Sequence, residues 1–107
     1  MKLSEKRCVP CEGGGTAFSK SQVSKYKSQI NKAWIVVGNK KLRRAFKFKN
    51  FVRTMGFVNQ VALIAQTEDH HPDMQVSYSQ VIIEFWTHAV GGLSENDFIL
   101  VAKIDLI

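Results

Sequence analysis

The stretch Lys41-Leu42-Arg43-Arg44-Ala45-Phe46-Lys47-Phe48, running on into Lys49-Asn50-Phe51-Val52-Arg53, decides the fold class. Leu42, Arg44, Phe46 and Phe48 alternate with Lys41, Arg43, Ala45 and Lys47. That is the period of a half-buried strand, with one face mostly apolar and the other mostly basic. Asn50 is a good N-cap, and after it the period changes. From Phe51 to about Thr67 the pattern is helical: Val52, Met55, Val58, Ala62 and Ala65 form a stripe, widened by Phe51 and Val61. A strand that feeds straight into an amphipathic helix implies a sheet with helices packed on it.

Upstream, Ala33-Trp34-Ile35-Val36-Val37 is rich in strand formers, and Gly38-Asn39 supplies a turn, so a hairpin is expected. Before it, Ser19-Lys20-Ser21-Gln22 fits a capping box, with Phe18 and Val23 placed as a hydrophobic staple. Val23, Tyr26 and Ile30 share a face of the short helix that follows, which should end near Asn31. Downstream, Gln75-Val76-Ser77-Tyr78 and Val81 to His88 read as strands around a tight Ser79-Gln80 turn. On the second, Ile82, Glu84, Trp86 and His88 face one way and Val81, Ile83, Phe85 and Thr87 the other. Ser94-Glu95-Asn96-Asp97 opens a last helix, with Asp97 in the reciprocal position of a capping box. The order is α-β-β-α-β-β-α. We expect an α+β two-layer sandwich: a four-stranded antiparallel sheet covered on one face by three helices. Residues 1–18 read as an irregular head and 19–107 as one domain.

The chemistry gathers at Glu68-Asp69-His70-His71-Pro72, where the central helix stops. Proline cannot continue a helix and biases His71 toward an extended backbone. Histidine is the side chain whose ordinary pKa lies near neutrality, so it suits proton transfer. The chain has three histidines, and the third, His88, closes the last strand pattern. In the expected sandwich His70, His71, His88 and Asp97 could all meet at one end of the sheet.

Composition narrows the classes. With 107 residues and 45% apolar content the chain suits one globular core. No apolar run reaches membrane-spanning length, and the N-terminus lacks the apolar core of a secretory signal, so a cytoplasmic protein is expected. Cys8 and Cys11 lack a second pair of ligands for zinc, and Gly13-Gly14-Gly15 replaces the helix start that a redox pair would need. They read as a reduced pair in a flexible head. Fourteen of the 15 Lys and Arg lie between Lys2 and Arg53, against only Glu5 and Glu12; the remainder holds Lys103 against seven acids. A basic half can attract a polyanion, but a solvated face is the commoner outcome, and no nucleic-acid partner is expected.

The chain resembles the pterin-4a-carbinolamine dehydratases. The resemblance rests on His70-His71-Pro72, Tyr78, Trp86-Thr87-His88 and Gly92-Leu93-Ser94-Glu95-Asn96-Asp97-Phe98, in the family's order and spacing. Phe46 to Phe51 and the head Cys8-Val9-Pro10-Cys11-Glu12-Gly13-Gly14 add to it, so it covers about Cys8 to the C-terminus. It implies a four-stranded antiparallel sheet with three helices. It also implies a hydro-lyase that removes water from a 4a-hydroxytetrahydropterin to give a quinonoid dihydropterin. That reaction serves tetrahydropterin recycling behind an aromatic amino acid hydroxylase.

The resemblance implies roles as well. His70 and His88 would be acid and base at the hydroxyl, and His71 would bind and orient the pterin. Asp69 would hold an imidazole in one tautomer. The main-chain groups around Trp86 and Thr87 would contact the pterin edge, with Trp86 either a pocket wall or an ordinary strand aromatic. Asp97 is either an orienting group behind the histidines or a helix cap. Proton transfer alone suffices for this chemistry, which needs no cofactor and no metal. A three-histidine metal site is disfavoured because adjacent residues project in different directions.

Two positions depart from the family pattern: Gln66 stands where many members have an acid, and Met74 where some have Trp, which would loosen the pocket wall. The family is oligomeric. The last helix carries apolar residues on several sides, from Phe98 to Ile104, with Leu106 and Ile107 beyond. It would therefore provide the contact of a homodimer or homotetramer. A non-catalytic role, as dimerisation cofactor of a transcription factor, is the alternative the family allows.

Overall fold

Each helix begins at a polar cap. In the computed structural model, which describes residues 1–10 and 15–107, helix α1 spans Lys20–Lys27. Its capping box is complete: the Gln22 N–H donates to Ser19 Oγ at 3.3 Å and the Ser19 N–H donates to Gln22 Oε1 at 2.8 Å. It stops before Asn31, whose N–H donates instead to Asp105 at 3.3 Å. Strand β1 is Ile35–Val37, shorter than its apolar run, because Trp34 turns inward, fully buried, and donates its indole N–H to Asp105 at 2.8 Å.

Gly38 and Asn39 both have φ of +57°, the primed-turn geometry that matches the twist of a two-stranded ribbon. Strand β2 is Lys41–Lys47. Helix α2 runs Phe51–Glu68, capped by Asn50 Oδ1, which accepts the Arg53 N–H at 2.9 Å. It ends at Asp69 in the left-handed region, φ +53°. Strands β3, Asp73–Val76, and β4, Gln80–Phe85, form the second hairpin, and helix α3 spans Glu95–Ile104.

The sheet is antiparallel throughout, in the order β1-β2-β4-β3, so the two hairpins join through β2 and β4. Leu42, Val81, Ile83 and Phe85 are fully buried on the face that packs against the helices. The other face carries the cross-strand pair Arg43 and Glu84, in hydrogen-bonding contact, with Lys41 3.7 Å from the same carboxylate. This is the expected α+β sandwich, with three helices and a four-stranded antiparallel sheet.

Two expectations about helix faces are corrected. On α2 the buried stripe is Thr54, Phe57, Val61 and Ala65, whereas Phe51 and Val52 are 55% and 80% exposed and Ala62 is also exposed. Phe57 sets the phase: its ring meets Phe46 at 4.6 Å and Phe48 at 5.0 Å between centroids. Apolar residues occur almost all round this helix, so periodicity could not choose the face. On α3, Phe98, Ile99, Leu100, Val101 and Ile104 are all buried within the single chain, so this helix has no apolar surplus left for a subunit. α1, α2 and the N-terminal residues cover it together.

The N-terminal residues are not loose. A 3₁₀ turn at Leu3–Glu5 lies against α3 and buries Leu3. Lys6 pairs with Glu95 at 2.9 Å, and the Tyr26 hydroxyl donates to the same carboxylate at 2.8 Å. The Lys6 ammonium and the Tyr26 hydroxyl hold Glu95 below the ordinary carboxylate range, while the Tyr26 phenol is pushed up. Cys8 is half-buried, and the expectation of a reduced pair with Cys11 falls outside the described residues.

Candidate active site

The αL turn at Asp69 swings the chain off α2 and sends His70 and His71 back across the end of the sheet. The Asp69 N–H donates to Gln66 O at 3.3 Å and the His70 N–H to Ala65 O at 3.1 Å, a glycine-like helix end built on aspartate. Beyond β4 a 3₁₀ turn, His88–Val90, carries His88 to the same place. His88 thus follows the strand end at Phe85 by three residues instead of closing the strand. The result is a cleft of about 450 Å³ that Asp69, His70, His71, Trp86, Thr87 and His88 line together. These six come from two separate reaches of sequence. Val9, Pro10 and Asn96 line it too, and none of those three was foreseen. Pro10 stood within a quoted motif, and Asn96 beside Asp97, but neither spacing nor residue type pointed them at the cleft.

Behind the cleft lies a buried carboxylate. Asp97 is fully buried. Its Oδ1 lies 2.7 Å from His70 Nε2, and its Oδ2 accepts the Thr87 hydroxyl at 2.7 Å and the Ser94 N–H at 2.9 Å. Both readings of Asp97 therefore hold at once: it caps α3 and it orients a histidine. With the carboxylate accepting on both oxygens, His70 carries its hydrogen on Nε2 and keeps Nδ1 as the nitrogen for a ligand. The His70 ring also lies flat against Phe85, 6.0 Å between centroids at 11°. The carboxylate contact to His70 is thus made by Asp97, while Asp69 lines the cleft at the turn.

Other placements follow from the same turns. His71 Nε2 lies 3.0 Å from Gln66 Oε1, so the amide at the departing family position engages a histidine. Met74 is half-buried against the core, opposite Ile83 in register, and does not line the cleft. The Thr87 N–H donates to Gly92 O at 2.8 Å and its hydroxyl to Asp97. Thr87 therefore supports the carboxylate, and its N–H is engaged within the chain by Gly92. His88 is exposed, its ring 3.8 Å from that of Trp86, with Nζ of Lys41, on the neighbouring strand β2, 5.4 Å from the indole centroid. Trp86 is a cleft wall, and its buried Nε1 has no acceptor among the described residues. An unmet buried donor costs about 1–3 kcal/mol. Among the described residues no three His, Cys, Asp or Glu side chains gather in a metal-binding group, and no helix is long and apolar enough to cross a membrane.

The profile of the family described as pterin 4 alpha carbinolamine dehydratase matches residues 16–107. The chain belongs to that family. A Nitrosomonas eutropha protein, provisionally named pterin-4-alpha-carbinolamine dehydratase, is 47% identical over 105 residues, covering 98% of this chain and 92% of its own. A Legionella pneumophila protein with the same provisional name is 49% identical over 104 residues, with coverage of 96% and 92%. Among solved structures, a Brucella melitensis protein described as a transcriptional coactivator/pterin dehydratase is 30% identical, with a TM-score of 0.79 over 85% of this chain and 97% of its own. A pterin dehydratase-like protein identified as a RuBisCO assembly factor of the alpha-carboxysome shares the fold, with a TM-score of 0.61 at 20% identity over 69% of this chain and 87% of its own. The histidine cleft of this carbinolamine dehydratase family member is thus formed where the end of α2, the second hairpin, the last helix and the N-terminal residues Val9 and Pro10 converge.

Proposed function

We propose that the chain is a 4a-hydroxytetrahydropterin dehydratase working by histidine acid and base catalysis. The observation that carries this is the convergence of His70, His71 and His88 on one cleft, with His70 backed by buried Asp97. Hydroxide is a poor leaving group, so an acid must protonate the 4a-oxygen as the carbon–oxygen bond breaks. A base must take the ring proton, and the products are water and a quinonoid dihydropterin. His70 and His88 exchange these protons, a contribution of roughly 10²–10⁴-fold for one positioned group. Asp97 keeps the His70 ring oriented through the 2.7 Å contact to Nε2. His71, held by Gln66, binds the pterin, and Trp86 gives the flat ring an apolar wall. Such an enzyme acts in the cytoplasm, recycling the tetrahydropterin that an aromatic amino acid hydroxylase leaves hydroxylated.

Synthetic 4a-hydroxytetrahydropterin tests this directly. Turnover should far exceed the spontaneous rate and persist in chelator, because proton transfer needs no metal. Absence of turnover would leave the fold in a non-catalytic role, the alternative that the description of the Brucella protein as a transcriptional coactivator keeps open. Activity lost in chelator and restored by zinc would replace histidine catalysis by metal catalysis.

A homodimer or homotetramer remains part of this proposal, with the contact moved from α3 to α2. Val52 and Leu63 are 80% and 70% exposed, and eleven residues apart they share one helix face. Such a face suits a self-association contact. Val52→Glu with Leu63→Glu should shift sedimentation from oligomer to monomer at micromolar concentration. A parent that already sediments as a monomer would contradict it.

A further inference from the structure

The N-terminal arm is held by buried polar groups, an arrangement that a mere tail would not need. The Cys8 N–H donates to Glu68 Oε1 at 2.8 Å, and the Glu68 side chain is only 6% exposed. The Val9 N–H donates to Asn96 Oδ1 at 3.1 Å, while Asn96 Nδ2 donates to Val9 O at 2.6 Å. Asn96 thus pairs with the Val9 backbone as a strand partner would, and it is itself buried. Lys103 Nζ donates to Ser4 O at 3.1 Å and lies 3.6 Å from Glu68. These contacts bring Val9 and Pro10 to the histidine cleft, where Val9 remains 66% exposed. Both anchors adjoin the chemistry: Glu68 precedes His70 by two residues, and Asn96 precedes Asp97 directly. One turn of α3 therefore fixes His70 through Asp97 and the arm through Asn96. The family profile begins at residue 16, so it leaves this arm unassigned.

We propose that Val9–Pro10 is a substrate-binding wall of the cleft, and that Glu68 and Asn96 are positioning residues that hold it there. This rests on the pterin reading of the cleft. The exposed Val9 side chain and the Pro10 ring offer apolar surface to a flat heteroaromatic ring without supplying any proton. Their loss weakens ground-state and transition-state binding alike, so it raises KM and spares kcat.

The test uses the full-length protein with Val9→Ser and Asn96→Ala, calorimetric titration with 7,8-dihydrobiopterin, and steady-state kinetics. Each change should weaken dihydrobiopterin binding and raise KM about tenfold, the scale of one lost apolar side-chain contact, with kcat within about threefold of the parent. The double variant should lose less than the product of the two, because both act through one wall. Val9→Ser changes an exposed residue and should keep the parent melting temperature, so it carries the test even where Asn96→Ala folds poorly. A parent that binds and turns over pterin, beside a Val9→Ser variant with unchanged affinity and KM, overturns the arm's role alone. A parent that neither binds nor turns over pterin overturns the function and the arm's role together. A fall in kcat at constant KM would mean that the arm acts on the chemistry and is not a binding wall.

Discussion

Asp97→Ala should destabilise the protein by about 3–5 kcal/mol, the cost of removing one partner from a buried pair. The carboxylate is fully buried and receives His70 Nε2–H, the Thr87 hydroxyl and the Ser94 N–H. Alanine leaves His70 Nε2–H and the Ser94 N–H without that acceptor, each costing about 1–3 kcal/mol and not additively, while the Thr87 hydroxyl keeps Ser94 Oγ at 2.7 Å. For a domain of this size the melting temperature should fall by more than about 10 °C. Asp97→Asn separates stability from chemistry. The amide keeps the shape and one acceptor oxygen but brings two donors of its own, so it cannot serve all three neighbours. Its kcat should fall about 10²-fold or more at a milder cost in stability, because His70 loses its charged partner. An Asp97→Ala protein that melts with the parent would show that these hydrogen bonds do not matter to the fold.

His88→Ala should lower kcat by roughly 10²-fold or more, as for loss of one general acid or base. Its melting should change by only about 1 kcal/mol, since the ring is exposed and leaves no large cavity. His70→Ala should match it in kcat but not in stability. The His70 side chain is 13% exposed, and its removal strands part of the Asp97 carboxylate, so it should destabilise by about 1–3 kcal/mol. The double variant should cost less than the product, because both serve one proton-transfer step. His71→Ala should act mainly on KM. Measuring kcat, KM and thermal midpoint for these variants decides the assignment. A His88→Ala enzyme with parental kcat would remove His88 from the chemistry.

The element order was legible in the sequence because each boundary carries its own local signal. Ser19 with Gln22, Asn50, Gly38-Asn39 and Ser94 with Asp97 are caps and turns whose geometry depends on a few neighbouring atoms. Strand faces were legible too, since period 2 leaves only two choices, and Val81, Ile83, Phe85 and Thr87 are the buried set. Helix faces were not. α2 is apolar almost all round, and only the positions of Phe46 and Phe48 on β2 select Phe57 over Val52. The surplus on α3 was covered by the N-terminal turn, a contact between residues nearly a hundred positions apart that no local pattern encodes.

The site divides in the same way. Residue type alone singled out His70, His71 and His88, because few side chains titrate near neutrality. Their convergence depends on the αL turn at Asp69, which only the folded chain reveals, since that geometry is unusual for a residue other than glycine. The choice of Asp97 over Asp69 as partner of His70, the commitment of Thr87 to that carboxylate, and the arrival of Val9 and Pro10 at the cleft are likewise tertiary. Each joins residues far apart in sequence whose local environments carry no mark of the meeting. The sequence by itself thus determined the elements and the chemistry available. Only packing decided which groups face one another, because that depends on distances between elements, which composition and period do not contain.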